Sequence, residues 1–278
     1  MSVPSESMSS MTSQTSRTFD WSRIAFGSLH KLGYPALGIA LLLAFWWLGG
    51  YAIANNPDTS SFADFAPAPA FARLLELLQN GAVWNAAAPS LGRIGLGLLW
   101  AIGIGVPVGV MIGLYSSLRE ITHIPFQFLR MISPLAWMPI AVLAFSTWDG
   151  AIVFLIAIAA IWPILFSTAQ GVRRIDPLWF KVGKNLGADG IQMLARVILP
   201  AIGQDIFAGI RLAVGVAWIV LVPAEYLGVT SGLGYAINDA RDTLEYDTLA
   251  AMVVVIGVIG FLLDAVCLKL IKHFSWHE

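Results

Sequence analysis

Hydrophobic positions in this chain neither alternate nor recur along a single stripe; they run together. Apolar stretches of roughly 20 residues, the length that crosses a hydrocarbon core of about 30 Å, fall at 32–54, 91–114, 126–147, 149–170, 203–228 and 248–271. The pattern predicts an all-α polytopic membrane protein with about six transmembrane helices. The third and fourth stretches are separated only by a Trp148-Asp149-Gly150 corner, so they read as a tight hairpin. Residues 1–30 form a cytoplasmic N-terminal tail, of which residues 1–20, MSVPSESMSSMTSQTSRTFD, have no apolar run and no small-residue cleavage site; disorder is expected there, not a signal peptide. Residues 31–90 hold the first span and a Pro/Ala-rich outer stretch, in which amphipathic Phe71–Leu78 is expected at the membrane surface. Residues 91–275 form the core, interrupted by one large polar stretch at 171–202.

Inside the second span, Gly97, Ala101, Gly105, Gly109 and Gly113 recur every four residues and line one helix face. Two backbones can approach closely there. The commoner arrangement is a neighbouring helix of the same subunit; a subunit interface is the alternative. Pro107 is expected to kink this helix, and Pro134, Pro139, Pro163 and Pro223 to interrupt spans three, four and five. Broken membrane helices are tolerated where their freed carbonyls face protein or a water-filled path.

Charge sets the orientation. Arg17, Arg23, Lys31, Arg119, Arg173, Arg174, Lys181, Lys184, Arg196, Lys269 and Lys272 fall on one side, only Arg73 and Arg241 on the other, and Arg93, Arg130 and Arg211 lie within apolar spans. The positive-inside rule therefore places both termini in the cytoplasm. Composition agrees with a lipid solvent: 58% of residues are hydrophobic and 12% charged, against about a quarter charged in a globular domain, and the mean hydropathy is +0.76. A net charge of −1 offers nothing to nucleic acid, and a single cysteine, Cys267, excludes an intrachain disulfide, a Cys-based zinc site and a CxxC redox centre. No phosphate-cradling loop, HExxH helix, metal-spaced cluster or GxSxG elbow is present, so no catalytic residue, metal or cofactor is expected in this chain. Uphill transport would need an ion gradient or a partner subunit. An ion-coupled carrier acting alone usually shows repeated halves and midplane charges, and no internal repeat is visible.

The polar stretch 171–202 is not a simple charge run. Pro177 can begin a helix, apolar residues from Trp179 to Ile198 recur irregularly at three-to-four spacing, and Gly187 and Gly190 permit a sharp turn between two short helices. By general physics such a hairpin lies on lipid headgroups or projects into the cytosol.

Residues 181–200, KVGKNLGADGIQMLARVILP, resemble the EAA loop of bacterial ABC-transporter permeases: Gly187 falls on the pattern's Gly, Val197 on its Ile, and Leu199 and Pro200 on its Leu-Pro, while Lys181, Val182 and Gly183 replace Glu-Ala-Ala. Beyond the loop, APSLGRIGLG (88–97), LRMISPLAWMPIAVLAF (129–145), GIRLAVGVAWIVLVPAEYLG (209–228), SGLGYAINDARD (231–242) and IGFLLD (259–264) are similar to the branch importing nitrate, nitrite, bicarbonate, cyanate, taurine and alkanesulfonates, nearest the nitrate type with the bicarbonate type close beside it. The resemblance implies a type I ABC importer permease fold with cytoplasmic coupling helices. It further implies a non-catalytic chain that pairs with a second copy across a central path, seats two cytoplasmic ATPase subunits that bind ATP and Mg, and receives solute from an extracytoplasmic binding protein in which selectivity largely resides. By the same resemblance Asp176, Lys181, Lys184, Gly187, Ala188, Asp189, Leu199 and Pro200 contact the ATPase.

An arginine within the membrane costs at least ~2.5 kcal/mol and needs a partner, water or a function. Arg93, Arg130 and Arg211 therefore become candidates for an anion path, with Asp205, Glu225 and Asp264 as the acids that would instead pair with them as scaffold bridges; for Arg211 the expected scaffold partner is Asp205. Trp137, Met138 and Trp218 read as an apolar gate or as ordinary packing. Glu225 closes span five and is placed to position the outer loop; Gly232 and Gly234 shape a turn, with docking of a binding protein as a second reading.

Overall fold

The computed structural model describes residues 21–274, with side chains from 33 to 272; the tail ahead of residue 21 lies outside them. By internal contacts the chain divides into Met1–Gly49 and Gly50–Glu278. The first unit contributes most of α1 (Trp21–Ala54), whose Gly33–Ala54 stretch has a mean hydropathy of 1.9.

In the second unit a 3-10 turn (Ser60–Phe65) leads into α2 (Pro67–Gln79) and then α3 (Ala82–Leu114). The third apolar stretch is not a continuous helix. It is α4 (Ser116–Met131), a 3-10 turn (Pro134–Trp137) and α5 (Met138–Ala144), with the two halves bent by 88°. Ile132 and Ser133 are extended, because the residue before Pro134 is pushed out of the helical region, and Pro139 then sits in the first turn of α5 where no N–H is needed. The expected interruptions at Pro163 and Pro223 do not occur: α6 (Trp148–Arg174) and α10 (Gly203–Gly228) run unbroken past them, and α3 is likewise continuous through Pro107. Neighbouring helices can re-satisfy one freed carbonyl; two prolines five residues apart are harder to absorb. The corner before α6 is Phe145–Thr147, and Trp148-Asp149-Gly150 are its first turn, with the Thr147 hydroxyl accepting from the Gly150 N–H at 3.2 Å.

The polar stretch folds as α7 (Pro177–Asn185), α8 (Gly190–Met193), a π-turn (Leu194–Ile198) and α9 (Leu199–Ala201). Pro200 has no N–H to return to residue 196, which fits a widened turn just before it. Helix α10 follows, then α11 (Leu233–Asp242) and α12 (Tyr246–Phe274). Among the described residues five helices are long and apolar enough to span a membrane, six if the bent pair counts as one span.

The core is the seam between α3 and α6. Added Cβ atoms at Gly97, Gly105, Gly109 and Gly113 would strike Ile156, Ile164, Thr168 and Val172 in turn. The small-residue face is therefore an intrachain seam, each glycine admitting one side chain of α6. Helix α10 covers the other side of α6, burying Ala213, Ala217, Leu221 and Ala224. On α2, Leu77 packs with Ala251 and Met252 of α12, and Arg73 bonds Thr248 at 2.9 Å and Glu245 at 3.3 Å.

Candidate functional site

Helices α3, α6, α10 and α12 give the second unit two ends, each carrying some of the expected site residues. At one end sit the beginnings of α3, α6 and α12, the close of α10, and α2 and α11; at the other sit the opposite helix ends and the α7–α8 hairpin.

The hairpin is shaped locally. The Asp176 carboxylate accepts from the Leu178 N–H at 2.8 Å and starts α7, and Asp189 accepts from the Gln192 N–H at 2.7 Å and starts α8. Between them Gly187 has φ +80, with its N–H donating to the Lys184 carbonyl and the Ala188 N–H to the Gly183 carbonyl, both at 3.0 Å. This is the left-handed helix stop that favours glycine. Underneath, Gly183 lets Met193 pack flush against α7, and Met193, Ile198 and Ile202 form a core with Val110 and Val172. Ala188 packs at the edge of that core and Leu199 is half-buried, while Lys181, Lys184 and Pro200 are exposed. A recess of about 1020 Å³ opens between Leu178, Trp179 and Val182 on one side and Val197, Pro200 and Gly203 on the other.

The residues expected along the path separate into three groups. Met138 is buried in a cluster with Ile94, Leu155 and Leu221, and Trp137 and Trp218 pack against it. Arg130 ends α4 rather than entering a continuous span, and its guanidinium lies 5.2 Å from the centre of the Phe166 ring. Arg211 pairs with Asp264 on α12, Nε to Oδ1 at 2.7 Å and Nη2 to Oδ2 at 2.9 Å. The expected Arg211–Asp205 bridge is absent: Asp205 binds Arg174 at 3.3 Å. Asp205 stands six residues before Arg211, nearly two turns away along one helix, whereas Asp264 lies directly across on the adjacent helix. The double change Arg211→Gln with Asp264→Asn is accordingly expected to recover assembled protein lost in Arg211→Gln, and Asp205→Asn to recover none. Quantifying detergent-stable permease in membranes of each strain decides it, and recovery by Asp205→Asn would overturn the pairing.

Arg93 and Glu225 come together in the third group. Glu225 is fully buried and Arg93 only 6% exposed. Arg93 Nη1 donates to Glu225 Oε1 and to the Ser231 carbonyl, Nη2 donates to Ser231 Oγ at 2.9 Å, and Nε donates to Asp149 Oδ1 at 2.7 Å. Ser90, buried one turn earlier on α3, donates its hydroxyl to Glu225 at 2.8 Å and accepts from the Leu233 N–H at 2.9 Å. Sequence reasoning missed Ser90, Asp149 and Ser231. Ser90 and Ser231 lie in the motifs 88–97 and 231–242, and Ser90 and Arg93 at i, i+3 put a hydroxyl and a cation on one helix face; nothing local marks Asp149.

This arrangement is the fold of an ABC importer permease. A chain of the methionine ABC transporter MetNI, in inward-facing conformations, superimposes with a TM-score of 0.53 at 16% sequence identity, covering 68% of this chain and 94% of that one. The chain belongs to the family described as the binding-protein-dependent transport system inner membrane component, matched over residues 105–274. It is 40% identical over 189 residues to the bicarbonate transport system permease protein CmpB of Synechococcus elongatus, covering 67% of each chain. It is 36% identical over 186 residues to the nitrate import permease protein NrtB of Leptolyngbya laminosa, covering 67% of this chain and 66% of that one. With the taurine transport system permease protein TauC of Escherichia coli it shares 31% identity over 245 residues, covering 86% and 88%. It is thus a multi-pass inner-membrane permease subunit of a binding-protein-dependent ABC importer.

Proposed function

We propose that this permease passes a small inorganic oxyanion, nitrate or nitrite, into the cell. It works as a pair with a second copy, is driven by two ATPase subunits seated on the α7–α8 hairpins, and is loaded from outside by a binding protein. The carrying observation is the hairpin itself. Leu178, Trp179, Val182, Leu186 and Ile191 are exposed on it, Leu186 by 82% and Ile191 by 79%, on a unit whose turn is rigidly specified. A compact apolar knob set on a conformationally locked turn suits insertion into another subunit, and a rigid element transmits rotation where a soft one would absorb it. The excess of Lys and Arg at the hairpin end makes that end cytoplasmic, so α11 and the start of α3 face outward.

The oxyanion reading draws on the intramembrane arginines. Arg211 is paired yet 41% exposed, and its partner Asp264 46%; lipid does not solvate such a pair, so water or another polypeptide adjoins it. Trp137 and Trp218, packed on the buried Met138, are the candidate apolar gate beside that path. Bicarbonate is the second reading, favoured by the higher identity to the bicarbonate permease. Proteoliposomes holding the permease with its ATPase subunits and binding protein, assayed with labelled nitrate and labelled bicarbonate, test both. Flux of neither would end the oxyanion reading.

The turn offers a sharper test. A Cβ at Gly187 would meet nothing within 4 Å, so within this chain substitution costs only the left-handed conformation, about 1–2 kcal/mol for a branched residue. Gly187→Val is expected to cut uptake at least tenfold with membrane-inserted protein within twofold of normal, and Gly187→Asn, which tolerates this conformation, to retain most transport. Equal loss in both would show that contact with the ATPase, not backbone geometry, sets the requirement. Purified permease free of ATPase is expected to hydrolyse no ATP.

A further inference from the structure

The buried cluster around Glu225 does more than tie two spans. Three polar groups of one turn end on it: the Ser231 carbonyl on Arg93, the Leu233 N–H on Ser90 and the Gly234 N–H on Glu225 Oε2 at 3.0 Å. Gly232, Leu233 and Gly234 are buried, so water does not reach these N–H groups, and the cluster is what pairs them and sets the course of the turn. The turn is also moulded to the carboxylate. Gly232 has φ +115, and a Cβ there would sit 2.5 Å from the Glu225 carboxyl carbon and oxygens. Among the described residues the Arg211–Asp264 pair bonds only within itself, with no loop group ending on it.

This turn is the start of α11. Beyond it, Tyr235 and Asp239 of α11 face Arg73, Asn85 and Glu245 across a depression of about 410 Å³ whose wall is completed by Ser231 and Gly232. Glu245 is engaged by Arg73 and Thr248 and Glu76 by the same Arg73, while among the described residues no ion pair engages the exposed Asp239 carboxylate on the rim. We infer that Ser90, Arg93 and Glu225 are positioning residues: they fix α11 so that this depression presents Asp239 and Tyr235 to a donor side chain, a lysine, arginine or amide, on the docked binding protein. The inference rests on the proposed function, which puts this end outside and supplies that partner. Clamping the turn from beneath matters because a docking surface held in its bound shape loses less freedom on association.

The test uses the reconstituted permease–ATPase complex, titrated with the binding protein that stimulates it, loaded with nitrate or bicarbonate, reading ATP hydrolysis. Ser90→Ala keeps the Arg93–Glu225 charges paired and removes only the hydroxyl that bridges Glu225 to the turn. It is expected to raise the half-saturating binding-protein concentration several-fold, up to about tenfold, while the maximal rate per assembled complex stays within twofold. Asp239→Asn, remote from the cluster, is expected to raise it similarly. A merely structural cluster predicts another pattern, in which Ser90→Ala lowers the assembled amount or the maximal rate and leaves half-saturation unchanged; that result overturns the inference. If Ser90→Ala does not assemble, Asp239→Asn decides alone, and an unshifted midpoint there also overturns it. A wild-type complex that no binding protein stimulates would instead defeat the proposed function.

Discussion

Glu225→Leu is expected to remove most of the folded permease from the membrane. The leucine leaves Arg93 buried with a single carboxylate, the exposed Asp149, strips the Gly234 N–H of its acceptor and leaves the Ser90 hydroxyl only the longer bond to the Ala86 carbonyl at 3.4 Å. Breaking a buried ion pair from one side costs about 3–5 kcal/mol, because the remaining charge stays desolvated. That is a large share of the roughly 5–15 kcal/mol that holds a typical protein folded. The double change Arg93→Leu with Glu225→Leu is expected to recover much of the loss, since no buried charge remains unpaired. The measurement is the monodisperse fraction after extraction, with its thermal midpoint. Normal yield and midpoint in Glu225→Leu would show that the cluster carries no structural weight.

Gly109→Val is expected to have the second-largest effect, through a different cause. A Cβ at Gly109 would lie 2.7 Å from the Leu165 carbonyl oxygen and 2.8 Å from the Thr168 Cβ. The carbonyl belongs to the backbone of α6 and cannot rotate away, so α3 must back off along the seam and Ile164, Ile156 and Val172 lose their seats. Overpacking a filled core costs about 1–3 kcal/mol, and an obstructing backbone pushes toward the top of that range or past it. Gly103 on the same helix provides the control, because a Cβ there meets nothing within 4 Å. Gly103→Ala is expected to be neutral or stabilising by up to about 1 kcal/mol, the helix-propensity difference. Thermal midpoints of the two purified variants separate the cases, and a matching fall in both would mean that helix flexibility, not the seam, sets the requirement.

Much of the molecule was legible one helix at a time. The bounds of α10, Gly203–Gly228, are those of the apolar stretch itself, and the four-residue recurrence of Gly97 to Gly113 announced the seam before its partner was known. Pro177 and Gly187 bracket α7 because proline opens a helix and glycine closes one. The third span was misread for a related reason: its composition is apolar throughout, and hydropathy is blind to the extended Ile132-Ser133 link that Pro134 imposes.

Length, hydropathy and charge placement depend on neighbours a few residues away, so the sequence by itself determined the all-helical membrane architecture, the spans other than the third, the asymmetry of Lys and Arg, and the shape of the α7–α8 hairpin. Which charge meets which was decided only by the tertiary structure. Arg93 and Glu225 are 132 positions apart and Arg211 and Asp264 are 53 apart, and in each case several acids of equal local merit were available. The choice falls to the rotation and offset at which α3, α6, α10 and α12 pack. Those are set by the sum of many small steric fits, such as Ile156 against Gly97 and Thr168 against Gly109, and no local pattern contains that sum.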